Sequence, residues 1–354
     1  MSRITNFLSV TRPCGPGMRV CCLVLMALFC SALAANDLES SLQLAERPTV
    51  NGEPTVIELG VFIIDIDEID DVNQTFSVDV FVVARWHDPR LALPMAERQG
   101  KKRFMMLDEV WTPRIMSLNN RGLEPQLREG VEVDDLGNVK FQNRLLGDLA
   151  ADLEFQEFPF DVQRLPIDLV SYENTMDELQ FSPKSGIVTQ EDKFSIEGWR
   201  LKLLEPELGV FKVPVEGTEL PRLTYVIEAE RDSDYYALTM LVPMSLIIFM
   251  AWTVFWLQPN IVPPRIAIST ASIFSLIALG VSMRLGLPKI SYFTKADIFV
   301  LGCTLLVFIA LGVAVLGSRW ASSDRMEQAL KANAISRWVY MLLFVVVTLV
   351  AFFR

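Results

Sequence analysis

Few of the side chains that carry out catalysis are present in this chain. His87 is the only histidine, and Cys303 is the only cysteine beyond residue 30. No HExxH, GxSxG or glycine-rich phosphate loop occurs, so no metalloprotease, serine-hydrolase or nucleotide site is specified, and no cofactor is expected. His87 stands between Trp86 and Asp88. A histidine there can report pH near neutrality, but within this motif a packing role is the better expectation. Asp65, Asp67, Glu68, Asp70 and Asp71 collect the oxygen ligands that suit calcium. Their spacing is not that of an EF-hand loop, and a solvated acidic edge is the default reading. The remaining signal is one of shape. Between Pro263-Pro264-Arg265 and Leu287-Pro288-Lys289 lies an apolar run long enough to cross a bilayer as a helix. Ala267, Ala271, Phe274, Ala278, Val281, Ser282 and Leu285 share one face of it at i, i+4, i+7 spacing. Ile266, Ile268, Ile273, Leu276, Ile277 and Leu279 form a bulkier arc. A narrow face of small side chains either packs closely on a neighbouring helix or borders a hole.

The surrounding chain divides sharply by charge. Of 354 residues, 51% are hydrophobic and 21% charged. Yet 40 of the 43 acidic residues and 20 of the 32 basic ones fall between residues 36 and 235, a net charge of about −20 there. A surface of that sign makes nucleic acid an unsuitable partner. Arg3, Arg12 and Arg19 precede the apolar residues 20–29, and Ala32-Leu33-Ala34 completes the pattern of a signal peptide over residues 1–34. Cys14, Cys21, Cys22 and Cys30 would leave with it. The exported chain then has no internal disulfide, and Cys303 is expected in a core.

From residue 55 to 235 the pattern is short strands and turns. Phe76, Val78, Val80 and Val82 alternate with Thr75, Ser77, Asp79 and Phe81. Turn chemistry recurs at Asp134-Asp135-Leu136-Gly137-Asn138 and Pro183-Lys184-Ser185-Gly186. These signals predict an all-β, immunoglobulin-like antiparallel sandwich over residues 35–235. Residues 236–354 predict a four-helix transmembrane bundle, with helices at about 237–257, 266–285, 296–317 and 335–353. An exported first domain and a weak basic bias in the inner loops set the orientation.

Several motifs, in order along the mature chain, resemble one family. Phe158-Pro159-Phe160-Asp161-Val162-Gln163 resembles the core of the signature loop of pentameric ligand-gated ion channels. Animal members close that loop with two cysteines, at positions that here carry Ala151 and Leu165, so the chain is similar to the bacterial branch. Asp70-Asp71-Val72-Asn73-Gln74, Arg85-Trp86-His87-Asp88-Pro89, Trp111-Thr112-Pro113, Arg231 twelve residues before Pro243, and Pro288 closing the second helix agree with it.

The resemblance implies a homopentamer in the inner (plasma) membrane, in contact with lipid, that passes inorganic ions when a small molecule or proton binds between neighbouring sandwiches. It implies ligand-binding roles for Phe81, Tyr172, Glu173, Leu118 and Phe211, with an aromatic box too incomplete for a quaternary amine. Ala267, Ala271, Phe274, Ala278, Val281 and Leu285 would line the pore, Phe274 as an apolar gate. Pro263, Pro264, Arg265 and Arg284 would favour anions at the pore, against an acidic vestibule that favours cations. Asp71, Phe158, Pro159, Phe160, Asp161, Arg231 and Pro288 would couple the two domains, with Pro159 and Phe160 wedged against the outer loop of the second helix. A membrane receptor that signals without conducting is the alternative reading.

Overall fold

The computed structural model of the protein describes residues 44–49, 52–184, 194–215 and 217–353. The expected signal peptide, with its four cysteines, lies outside them. Among the described residues twelve strands form two sheets: β1 (Thr55–Asp70), β2 (Thr75–His87), β3 (Arg103–Met105), β4 (Ile115–Ser117), β5 (Glu124–Pro125), β6 (Val131–Val133), β7 (Asn138–Ala150), β8 (Val162–Ser171), β9 (Leu179–Pro183), β10 (Trp199–Leu203), β11 (Glu207–Lys212) and β12 (Glu219–Arg231). One sheet runs β3-β6-β7-β2-β1-β9 with β5 beside β7, and the other runs β10-β12-β8-β4 with β11 beside β12. Pairing is antiparallel except between β1 and β9, where Thr55 stands opposite Leu179.

The period-two alternation directs one face of each strand inward. Phe76, Val78, Val80, Val82, Ala84 and Trp86 of β2 are buried, and they meet Leu165, Ile167 and Leu169 of β8 and Leu223, Tyr225 and Ile227 of β12. The Tyr225 hydroxyl donates across the sandwich to the Leu59 carbonyl at 2.8 Å, so its polar tip is satisfied in the core. Trp86 meets Trp111 edge to face with ring centroids 5.9 Å apart. His87, by contrast, faces solvent beside Asn138, 3.2 Å away. The expected packing role belongs to its neighbours: Trp86 is buried, and buried Asp88 accepts from the Arg90 side chain and backbone. One residue along a strand reverses the face, which separates His87 from Trp86.

Among the described residues, four helices long and apolar enough to cross a membrane follow: α1 (Ser233–Trp256), α2 (Val262–Arg284), α3 (Lys295–Ser322) and α4 (Met326–Phe352). Within α1 a π-turn at Ala237–Leu241 precedes Pro243, whose missing N–H disrupts the regular ladder. Pro263 and Pro264 lie inside the first turn of α2, where no intrahelical donor is needed, so they open the helix instead of preceding it. That helix ends at Arg284, before Pro288, which sits in the following loop and does not terminate it. Helices α3 and α4 exceed the expected 296–317 and 335–353, because a 27-residue helix spans ~40 Å and its polar ends continue past the apolar core.

The buried face of α3 repeats as Ala296, Phe299, Cys303, Leu306, Val307, Ala310 and Ala314, placing the lone cysteine in a helix seam. At Gly302 a Cβ would fall 2.4 Å from Val347 Cγ1, so glycine lets α4 approach.

Candidate coupling and pore sites

Three loops of the sandwich meet the helices: the β1–β2 turn, the β7–β8 loop and the end of β12. Arg231 is the last residue of β12 and is buried there. Its side chain uses every N–H it has. Nε and Nη2 donate to Asp161 Oδ1 and Oδ2 at 2.9 and 3.0 Å. Nη1 and Nη2 donate to Asp71 Oδ2 and Oδ1 at 2.8 and 3.0 Å, and Nη1 also reaches the Tyr236 hydroxyl at 3.3 Å. Trp199 lies over the guanidinium with Cζ 4.1 Å from its ring centroid, and Phe158 and Tyr236 complete an aromatic cage at 5.1 and 5.5 Å.

Two forked ion pairs on one guanidinium form a rigid clamp. It joins the turn after β1, the β7–β8 loop and the entry to α1. Burial pushes the Asp71 carboxyl above the usual carboxylate range against the opposing pull of Arg231. The two carboxylates outweigh burial on the arginine and hold it charged.

The β7–β8 loop also grips the membrane helices through its backbone. The Lys295 and Ala296 amides donate to the Gln156 and Phe158 carbonyls at 3.0 and 3.2 Å, and the Tyr292 hydroxyl accepts from the Phe155 amide at 3.1 Å. Lys295 pairs with Glu157. Pro159, preceded by a cis peptide bond, is buried. Phe160 departs from expectation: it meets Phe352 at the end of α4, ring centroids 5.6 Å apart, and not the loop after α2. The wedge against that loop is built by residues 155–158, because the loop turns Phe160 outward toward the last helix.

Sequence reasoning missed Trp199 and Tyr236 as members of this seam, placed Tyr292 and Lys295 there only as part of the outer loop 287–295, and had Gln163 in the loop motif without a role. Gln163 is buried; its amide accepts from the Glu154 N–H at 2.9 Å and donates to the Glu154 carbonyl at 2.8 Å and to Asp161. It thus fastens the base of the loop and orients Asp161, in a chain where Ala151 and Leu165 cannot form a disulfide. A polar residue two positions after Asp161, between buried strand positions, was the available signal.

On α2 the two sides predicted from the sequence separate in part: Ile273 and Leu276 of the bulkier arc are buried, but Ile266 and Ile277 are exposed. Arg265, Ser269, Ser272, Ile273 and Leu276 are buried against the other helices. Ala267, Ala271, Phe274, Ala278, Val281 and Leu285 all lie on the opposite, uncovered side, with Phe274 67% exposed. Arg265 contradicts its expected place at the pore. It is fully buried, and Nη2 donates to Asn333 Oδ1 of α4 at 2.9 Å. Two residues at ~100° each turn it to the far side of the helix from Ala267. Arg284 is exposed, but its Nε sits 3.2 Å from Asp297 Oδ1, which offsets its charge.

Residues 33–205 match the profile of the neurotransmitter-gated ion-channel ligand binding domain, and residues 240–332 that of the neurotransmitter-gated ion-channel transmembrane region. The chain belongs to the neurotransmitter-gated ion-channel family. It is therefore a multi-pass membrane protein whose N-terminal domain is exported.

In this channel-family chain the expected ligand-binding residues do not converge. Phe81 lies on the non-core face of β2 in one sheet, half-buried beside Arg144 in register. Tyr172 and Glu173 follow β8 in the other sheet. Tyr172 is 55% exposed, and its loop is tied to the Trp111-Thr112-Pro113 motif: the Ser171 hydroxyl donates to the Pro113 carbonyl at 2.6 Å and receives Asn174 Nδ2 at 2.9 Å. Arg114, which sequence reasoning missed, lies 3.8 Å from Glu173. Phe211 is half-buried on β11, and Leu118 is half-buried after β4. The acidic run near the end of β1 is dispersed among separate tasks. Asp65 holds Ser195, Asp70 accepts from the Val72 and Asn73 amides at 2.9 Å each, and Asp71 joins the clamp.

Proposed function

We propose that five copies of this subunit surround a pore lined by the uncovered face of α2, opened by a small ligand or proton bound between neighbouring sandwiches. The observation that carries the reading is the division of α2: the small-residue stripe is left free by the subunit's own bundle while Arg265, Ser269, Ser272, Ile273 and Leu276 are packed. A ring of five gives that stripe a common axis to face. Phe81 on one sheet and Tyr172, Glu173 and Phe211 on the other then belong to opposite sides of a subunit interface, which explains why a single chain keeps them apart. The Arg231 clamp carries the rearrangement to α1, and residues 155–158 carry it to the loop after α2.

The pore passes cations. Its stripe carries no charge, Arg265 points into the bundle, and Arg284 is offset by Asp297, so the acidic exported domain sets the local ion concentrations. Purified channels in a planar bilayer, bathed in a tenfold salt gradient and exposed to a panel of amines, carboxylates and acid pH, test this. The current should reverse near the cation equilibrium potential. Reversal at the anion potential contradicts the selectivity, and absence of any current leaves a receptor that signals without conducting.

A further inference from the structure

Arg85 of β2 and Lys140 of β7 stand directly opposite each other in register. Their neighbours Trp86 and Val139 are buried in the core, so the alternation puts both cations on the outer face of the first sheet. Like charges so paired repel each other. On their far sides the register supplies one acid to each, Glu58 of β1 opposite Arg85 and Glu132 of β6 opposite Lys140. Both acids are engaged elsewhere. Glu58 Oε2 lies 3.5 Å from Lys184 Nζ, and Glu132 Oε2 accepts from Lys102 Nζ at 3.0 Å. Among the described residues, the side chains of Arg85 and Lys140 have no ion pair or hydrogen bond, although both are half-buried. They border a cavity of ≈ 580 Å³, a size that suits a small organic molecule. Asp134 on its rim is committed to its own turn, accepting from the Leu136 and Asn138 amides at 2.9 and 2.8 Å and from Asn138 Nδ2 at 2.8 Å. His87 also borders the cavity, two residues along β2 from Arg85, with Nδ1 3.2 Å from Asn138 Oδ1.

Two partly desolvated cations side by side, with the neighbouring acids drawn off, favour an anion that carries two charges on one group. A guanidinium fork and an ammonium point charge match a phosphate dianion; a single carboxylate would leave one charge uncompensated. We propose that the Arg85–Lys140 pair seats the phosphate of a small phosphate monoester, whose organic part lies in the cavity toward His87 and Asn138. The exported domain as a whole repels anions, so binding rests on this local clearing of acids. Arg85 stands ten residues along β2 from Thr75 at the β1–β2 turn, or ~33 Å, which puts a lipid headgroup out of reach. Phe81 does not border the cavity and lies four residues, ~13 Å, from Arg85. The site is therefore distinct from the one proposed to open the pore and does not depend on it.

Full-length protein in detergent, titrated calorimetrically with glycerol 3-phosphate at about pH 7.5, where its phosphate is largely the dianion, tests the proposal. One molecule should bind per subunit. Propionate and dimethyl phosphate, each with a single charge, should bind at least about tenfold more weakly, and so should glycerol 3-phosphate to Arg85→Gln and to Lys140→Gln, as for a lost hydrogen bond to a charged group. Glu132→Gln should instead tighten binding, because it removes the acid opposite Lys140 and releases Lys102. A gain of that kind cannot come from misfolding. Absence of binding heat in the wild type, dimethyl phosphate or propionate bound as tightly as glycerol 3-phosphate, affinity unchanged in Arg85→Gln and Lys140→Gln, or weaker binding in Glu132→Gln overturns the proposal.

Discussion

Channels carrying Arg231→Ala are expected to reach the surface in reduced number and, once there, to bind ligand without opening. Asp71 and Asp161 are both held by this one side chain. Its removal leaves two carboxylates facing each other in a largely buried seam, a change that costs about 3–5 kcal/mol in comparable settings. That is a large share of the ~5–15 kcal/mol by which a domain is stable. Loss of protein and loss of coupling are separable. Adding Asp71→Asn and Asp161→Asn removes the stranded charges and should restore surface protein, as counted by labelling. It should not restore current, since the strap between β12, the β1–β2 turn and the β7–β8 loop is still missing. Arg231→Lys should fall between, because one ammonium cannot fork onto two carboxylates. Normal gating by Arg231→Ala channels at the surface would remove the clamp from the mechanism.

Phe274→Ala should produce current in the absence of ligand. Among the stripe residues, Phe274 is the bulkiest and is flanked along the face by Ala271 and Ala278. Five such rings would form an apolar constriction that blocks ions by excluding water. Truncation widens that point and removes the dry barrier. Spontaneous open probability should rise at least about tenfold, equivalent to ~1.4 kcal/mol lost by the closed state. Because Phe274 is largely exposed on its own subunit, the bundle should keep its stability. If instead the ring lies between neighbouring subunits, the variant will assemble poorly and its closed state will remain tight. Macroscopic current before and after ligand, normalised to surface protein, distinguishes the two.

What could be read from the residues follows from which signals are local. Alternation over β2 and the helical stripe on α2 are short-period patterns: Phe76, Val78, Val80 and Val82 face the core, though Asp79 is buried too, and the small stripe of α2 is uncovered, though Ile266 and Ile277 of the bulkier arc are exposed as well. The direction of Arg265 was also legible: it stands two residues before Ala267, on the other side of the helix. Its motif drew attention to charge at the pore mouth, while its angular position put it in the bundle beside Asn333. That asparagine lies in a stretch too polar to read as membrane helix, and only the extension of α4 back to Met326 brings it to α2. Phe160 meeting Phe352, Tyr292 meeting Phe155 and Trp199 covering Arg231 join segments tens to almost two hundred residues apart. No periodicity carries such pairs: Trp199 meets Arg231 only when β10 pairs with β12, and the other two contacts form only where the sandwich meets the helices. Gln163 shows an intermediate case. Its type and place beside Asp161 were evident, but its role depended on seeing where the Glu154 backbone returns.

The most direct test of the central claim is cysteine accessibility along α2 in open channels, probed by a charged, water-soluble thiol reagent while current is recorded. The buried native Cys303 provides a quiet background. Cysteines at positions 267, 271, 278, 281 and 285 should each make the current sensitive to the reagent, with reaction below position 274 requiring ligand. Cysteines replacing Ile273 and Leu276 should not react. Current modified from the Ile273 and Leu276 side, or indifference at every stripe position, would contradict a pore lined by this face.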